Sequence, residues 1–147
     1  MARHRARQQA LQMLFQWDQR RTPTEEIVGG YYGSLLISDD EDPTPPRDEF
    51  AEELFRGVVR EAASIDELIT KHAAHWKISR MPVVDRNILR IAVHEMLTTD
   101  TPPPVIIDEA LELAKRFSSD ESAHFVNGVL AAVRRERVVP GLETKPD

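Results

Sequence analysis

The sequence predicts an all-α fold, a compact bundle of six to seven helices. Three observations carry that prediction. Apolar residues recur at helical spacing almost throughout, and no stretch alternates apolar and polar residues long enough to suggest a sheet. Two proline-rich breaks, Ser38–Pro46 (SDDEDPTPP) and Thr98–Pro104 (TTDTPPP), divide the helical runs. A chain of 147 residues suits a single domain with a sizeable core.

The first helix is expected from about residue 4 to 20, with Ala6, Ala10, Met13, Leu14 and Trp17 on one stripe. Thr22-Pro23-Thr24-Glu25 reads as a capping box with proline at the first helical position. The helix it opens carries Ile27, Val28, Tyr31, Leu35 and Leu36, and Gly29, Gly30 and Gly33 weaken it by roughly 1 kcal/mol each relative to alanine. One long third helix is predicted over about 47–75, on a stripe of Phe50, Leu54, Val58, Ala62, Ile65, Leu68 or Ile69, and His72. Pro82 is placed in the first turn of a fourth helix, which carries Val84, Ile88, Ile91 and Met96. A fifth helix spans about 104–117, with Ile107, Ala110, Leu111, Ala114 and Phe117. Ser119 or Asp120 caps the sixth, which buries Ser122, Val126, Val129, Leu130 and Val133. Residues 1–138 form one domain, and 139–147 read as a disordered tail without periodicity.

Charge is distributed unevenly. Residues 1–21 contain five arginines (Arg3, Arg5, Arg7, Arg20, Arg21) and one acid, Asp18, and so carry +4. The chain as a whole is −6, which leaves −10 for the remainder. Attraction for polyanions is therefore concentrated at one end of an acidic protein. Arginines in a first helical turn oppose the helix dipole by roughly 0.3–1 kcal/mol each, so either the segment frays or an anion neutralises it. Phe15 lies about 150° from the centre of its helix's apolar stripe, near His4, Gln8 and Leu11. An aromatic ring off the core stripe, on the helix that carries an arginine arm, suits stacking against an unpaired base; packing against another helix is the competing reading. Phe125 lies about 80° from the centre of its own stripe, beside Glu121 and Gly128, a border position. Glu121 would repel phosphate but could accept a hydrogen bond from a base amino group; it could equally be a first-turn acid that favours the helix dipole.

Other chemistry has little support. No cysteine is present, which removes disulfides and thiolate sites. His72 and His75 are three apart but lack a third metal ligand, and His94-Glu95 lacks a nucleophile partner. Asp39 to Asp42 lack calcium-loop spacing, and Glu49, Glu52 and Glu53 read as a solvated helix face. No catalytic residue, cofactor or metal is expected. No apolar run approaches a membrane span, and a cytoplasmic location fits.

Three segments, Arg3–Trp17 (RHRARQQALQMLFQW), Asp85–Met96 (DRNILRIAVHEM) and Asp108–Leu130 (DEALELAKRFSSDESAHFVNGVL), resemble the NusB family of bacterial transcription antitermination factors. The resemblance runs in the family's order over about residues 2–134. It implies two packed three-helix halves and binding of single-stranded boxA RNA in ribosomal RNA leader transcripts. It also implies binding together with the small-subunit ribosomal protein NusE, and passage of RNA polymerase through terminators. By position it implies an RNA-contacting set of Arg3, His4, Arg5, Arg7, Phe15, Glu121 and Phe125, with Asp85 on the NusE-facing surface. Ser118-Ser119, where relatives usually have a glycine turn, and Phe15, often tyrosine in relatives, depart from the family pattern. Two other readings remain open: the RNA-binding domain of a ribosomal RNA cytosine methyltransferase, and a dimeric interaction module without RNA function, whose homodimer could also cover the arm.

Overall fold

A computed structural model describes residues 2–38, 47–73 and 76–137. Side chains at residues 2, 32–38 and 137, including Leu35 and Leu36, lie outside the description, as do His75, the acidic loop and the C-terminal tail. The described residues form seven helices and no strand: α1 (Ala2–Arg20), α2 (Thr24–Ser38), α3 (Glu49–Arg60), α4 (Ala62–His72), α5 (Val83–Thr98), α6 (Pro103–Phe117) and α7 (Asp120–Arg137), with a 3-10 turn at Ile78–Arg80. The trio α1, α2 and α3 packs together, as does the trio α5, α6 and α7, and α4 bridges to α5 and α7. The all-α expectation, with two three-helix halves, agrees with this arrangement.

The long third helix does not form as one rod. It breaks at Glu61, which ends α3 and precedes α4 with φ −103° and ψ 16°. Neither proline nor glycine marks the break. Ser64 Oγ donates to the Glu61 carbonyl at 3.2 Å, a local side-chain bond that offers the backbone an alternative to helical pairing. The bend lets α3 pack on α1 while α4 packs on α5 and α7. Phe55, absent from the predicted stripe, is fully buried. Glu52 is buried too, and accepts two 2.8 Å bonds from Arg47, so it is no part of a solvated face.

Pro23 and Pro82 precede their helices instead of occupying the first turn. Pro82 has extended backbone, φ −53° and ψ 143°, which delivers the chain into α5. Glu25 does not close a capping box; its carboxylate accepts from Arg56 at 2.7 and 2.9 Å. The α7 cap is Ser119, whose Oγ accepts from the Ser122 amide at 3.0 Å. Trp17 is buried as expected, whereas Ser122 is only half-buried.

Helix α5 is the centre of the fold. From Asn87 to Glu95 every residue is buried, and a helix enclosed on all sides lies inside the protein. Its buried charged residues and Asn87 are therefore paired. At one end Arg7 of α1 donates from Nε and Nη2 to the Glu95 carboxylate at 2.7 and 2.8 Å. At the other, the Asp18 carboxylate accepts from Arg86 Nε at 2.7 Å and from Asn87 Nδ2 and Arg90 Nη1 at 3.0 Å each. Arg90 also donates to both Asp66 oxygens at 2.8 Å, which ties in α4. These contacts make α1 and α5 antiparallel and fix their register. His94, packed against Gly57, is held below its ordinary pKa by burial and by the Arg60 charge.

Burial pushes the Asp18 carboxyl upward, but hydrogen bonds from Arg86 and Asn87 and the charges of Arg90 and Arg86 outweigh it and hold the pKa at about 2. A folded-state value below the ordinary one stabilises the protein above about pH 4 and loses that contribution as the pH falls toward 2. The contribution is about 2 kcal/mol. Stability measured by urea titration across that window should fall in the native protein, and Asp18→Asn should remove most of this acid dependence. Arg7→Met should cost about 3–5 kcal/mol, because it leaves the Glu95 carboxylate buried and unpaired. A loss below about 1 kcal/mol in the same urea titration would show that Glu95 finds water or another partner.

Candidate nucleic-acid interface

The N-terminal arm is the first turns of α1, and its four basic residues have different environments. Arg5 is exposed and forms no ion pair among the described residues. Arg3 is exposed, with its guanidinium carbon 4.4 Å from the centre of the Phe50 ring on α3, a cation–π contact that holds its stem yet leaves N–H groups outward. His4 is half-buried; its Nδ1 lies 2.8 Å from Glu109 Oε1 of α6, and Gln8 Nε2 lies 3.2 Å from its other nitrogen. Arg7 is 4% exposed and committed to Glu95. Arg7 is therefore a buried strut and not a free arm cation, a correction to the expectation that it faces RNA. It also explains how a basic first turn is tolerated: Glu95 and Glu109 neutralise part of it.

Phe15 is 44% exposed. It shares the solvent side of α1 with His4 and Gln8, because eleven residues of helix return to nearly the same direction about 16 Å further along. Gln12, Gln16 and Gln19 flank that side, and Gln12 accepts from the Tyr31 hydroxyl.

The second group of predicted residues gathers where α5 and α7 begin. Phe125 is half-buried and packs edge-to-face with Trp76, with centroids 6.1 Å apart and planes at 65°. Trp76 is 49% exposed. The two rings, with Met81, Pro82, Asp85, Ser119, Glu121 and Ser122, line a cleft of about 340 Å³. Glu121 is exposed at its edge. Asp85, expected on a partner-facing surface, is 3% exposed. Its Oδ2 accepts from Ser122 Oγ at 2.8 Å, while its Oδ1 is buried without a hydrogen-bond partner among the described residues. That correction follows from position: Asp85 lies in the first turn of α5 and is covered by the first turn of α7.

The arm and the cleft are not one spot. Arg7 is level with Glu95 and Asp18 with Asn87 to Arg90, so the arm sits at the C-terminal end of α5 and the cleft at its N-terminal end. Ten residues of α5 separate Glu95 from Asp85, about 15 Å along the axis. Phe15, three residues before Asp18, belongs to the cleft end. The predicted residues thus fall into two groups, one toward each end of α5. Trp76 was invisible to helical periodicity because it lies in the connection before α5; the only signal was a tryptophan in a polar connection. Among the described residues no group of three or more histidines and acids is arranged to hold a metal ion.

The NusB family model matches residues 4–135. The chain is 55% identical over 139 residues to the transcription antitermination protein NusB of Solibacter usitatus (strain Ellin6076), covering 95% of this chain and 92% of that protein. Its structure is similar to T. maritima NusB, with TM-score 0.75, 36% identity and 91% of each chain covered. It is also similar to a chain in the crystal structure of antitermination factors NusB and NusE in complex with dsRNA. There the TM-score is 0.76 and the identity 30%, covering 92% of this chain and 99% of that one. With its α1 arm, central α5 and capped α7 inside the matched span, the chain belongs to the NusB family, which comprises transcription antitermination factors and not enzymes.

Proposed function

We propose that this chain binds the boxA sequence of ribosomal RNA leader transcripts as a single strand, together with the ribosomal protein NusE. In this role it joins the RNA polymerase antitermination complex in the cytoplasm. The observation that carries the reading is the solvent side of α1, where Arg5, which forms no ion pair among the described residues, and the exposed ring of Phe15 lie on one helix. Arginine supplies phosphate attraction, and an exposed ring supplies stacking worth roughly 1–3 kcal/mol per base. The likeness to a chain crystallised with NusE and RNA supports the same partners. No described helix is long and apolar enough to cross a membrane.

The division of labour follows from exposure. Arg3 and Arg5 grip phosphate, His4 contributes when Glu109 releases it, and Phe15, Glu121 and Phe125 meet bases. Arg7 holds the arm's helix against α5 without touching RNA. Asp85 serves the NusE side from within, by fixing Ser122 and the start of α7. The 55% identity to a relative named as a transcription antitermination protein favours that role over a methyltransferase's RNA-binding domain.

Gel-shift titration with boxA and scrambled RNA, with and without NusE, tests the reading. BoxA should bind more tightly than the scrambled sequence, and NusE should strengthen it. Each phosphate neutralised on a single strand contributes about −0.7 to the slope of log affinity against log salt. Arg3→Ala with Arg5→Ala should therefore flatten the slope by about 1.4. An unchanged slope would place the RNA elsewhere.

A further inference from the structure

A groove of about 450 Å³ runs between α3 and α5, and it opens beside the arm. The Phe50 ring, over which the Arg3 guanidinium lies at 4.4 Å, forms one of its walls. Phe50, Glu53, Arg56 and Arg60 line its α3 side. They are spaced three or four apart and so share one helix face, which puts Arg60 about 15 Å from Phe50. On the α5 side stands His94, whose ring lies so close to Gly57 that a Cβ there would come within 2.6 Å of two ring atoms. Only glycine leaves room for the imidazole at that depth. His94 is 9% exposed, and its ring nitrogens form no hydrogen bond among the described residues. A polar ring left so costs stability unless a partner reaches it.

Arg60 is the cation with least to hold it. Its Nε is 3.9 Å from Glu61, with both side chains exposed, a pairing worth little. Arg56, by contrast, is committed to Glu25 at 2.7 and 2.9 Å. Glu53 is exposed on the rim, where solvent screens it. The Thr98 and Thr99 hydroxyls are spent on the His94 and Glu95 carbonyls at 2.7 and 2.9 Å. The donors left to the groove are the Arg60 guanidinium and the His94 ring.

We propose that this groove is a second phosphate seat, in which Arg60 and the His94 ring donate to one phosphodiester of a strand that arrives from the arm across Phe50. This rests on the RNA-binding reading above and extends its surface along α3. Charge-assisted bonds from a guanidinium and an imidazole are the strong kind that phosphate oxygens accept. Burial and the Arg60 charge keep His94 below its ordinary pKa, against weaker opposite pulls from Glu95 and Glu61. The charged groups that face it are Glu53, Arg56 and Arg60 of α3, Glu61 just beyond, and its neighbour Glu95. An anion seated between Arg60 and His94 offsets that repulsion and favours the protonated ring. The seat therefore takes up a proton as it takes up phosphate.

Proton NMR of the His94 ring in the full chain, followed through a pH titration, tests the seat. The probes are boxA RNA extended by several nucleotides at both ends and, separately, inorganic phosphate. The RNA should raise the His94 midpoint by about one pH unit, and inorganic phosphate at the same concentration should raise it less. Arg60→Gln should raise the midpoint in the free protein, because a like charge is gone, and should abolish the further rise with RNA. It should also flatten the salt slope of RNA binding by about 0.7, and Arg60→Lys should restore that slope. RNA that binds with the Arg5-dependent slope yet leaves His94 unmoved would overturn the seat while the arm's role stands. A native salt slope in Arg60→Gln would do the same. Inorganic phosphate that moves His94 where the RNA does not would overturn the strand's path and leave a site for free phosphate. If no RNA binds at all, the RNA-binding reading fails and the seat with it.

Discussion

The register between α1 and α5 is set by buried charge. Apolar packing alone would let two helices slide by a turn at modest cost, since one leucine-sized side chain can replace another in a groove. A carboxylate and a guanidinium cannot be exchanged in that way, because a slip strands a charge inside the protein. Arg7 on Glu95 and Asp18 on the Arg86, Asn87 and Arg90 cluster lie eleven residues apart on α1. Together they pin it at two points. The exposed features of α1 inherit their positions from those pins: Arg3 and Arg5 emerge beyond one, and Phe15 stands just before the other.

This arrangement explains how an acidic protein keeps exposed positive charge at the start of α1. The arm is partly neutralised from below by Glu95 and Glu109, which makes a basic helix start affordable, and the cations that remain free point outward. At the other end of α5, about 15 Å along its axis, the charge reverses, and the cleft is lined by carboxylates and rings.

The helices and most of their buried faces were legible in the sequence because 3.6-residue periodicity is a direct imprint of one-sided burial. Trp17, Leu54, Val58, Ile88 and Val126 are buried where the pattern places them. The break at Glu61 was not legible, since neither proline nor glycine marks it and the partners of α3 and α4 differ only in the folded chain. The exposed arm residues and Phe15 were readable as departures from a stripe. The burial of Arg7 and Asp85 was not, because charge in a sequence reads as solvated unless its partner is known, and Glu95 lies 88 positions away. Trp76 escaped notice for the complementary reason: a ring in a connection has no period to violate.

The central claim is that Arg7 acts as a strut of the α1–α5 register and not as a ligand of RNA. Replacing both members of the pair, Arg7→Met with Glu95→Met, removes one charge of each sign and strands neither. The salt dependence of boxA affinity in this double variant, confirmed folded by circular dichroism, tests the claim most directly. The account predicts a slope equal to that of the native protein. A slope flatter by about 0.7, the share of one neutralised phosphate, would contradict it and return Arg7 to the nucleic-acid surface.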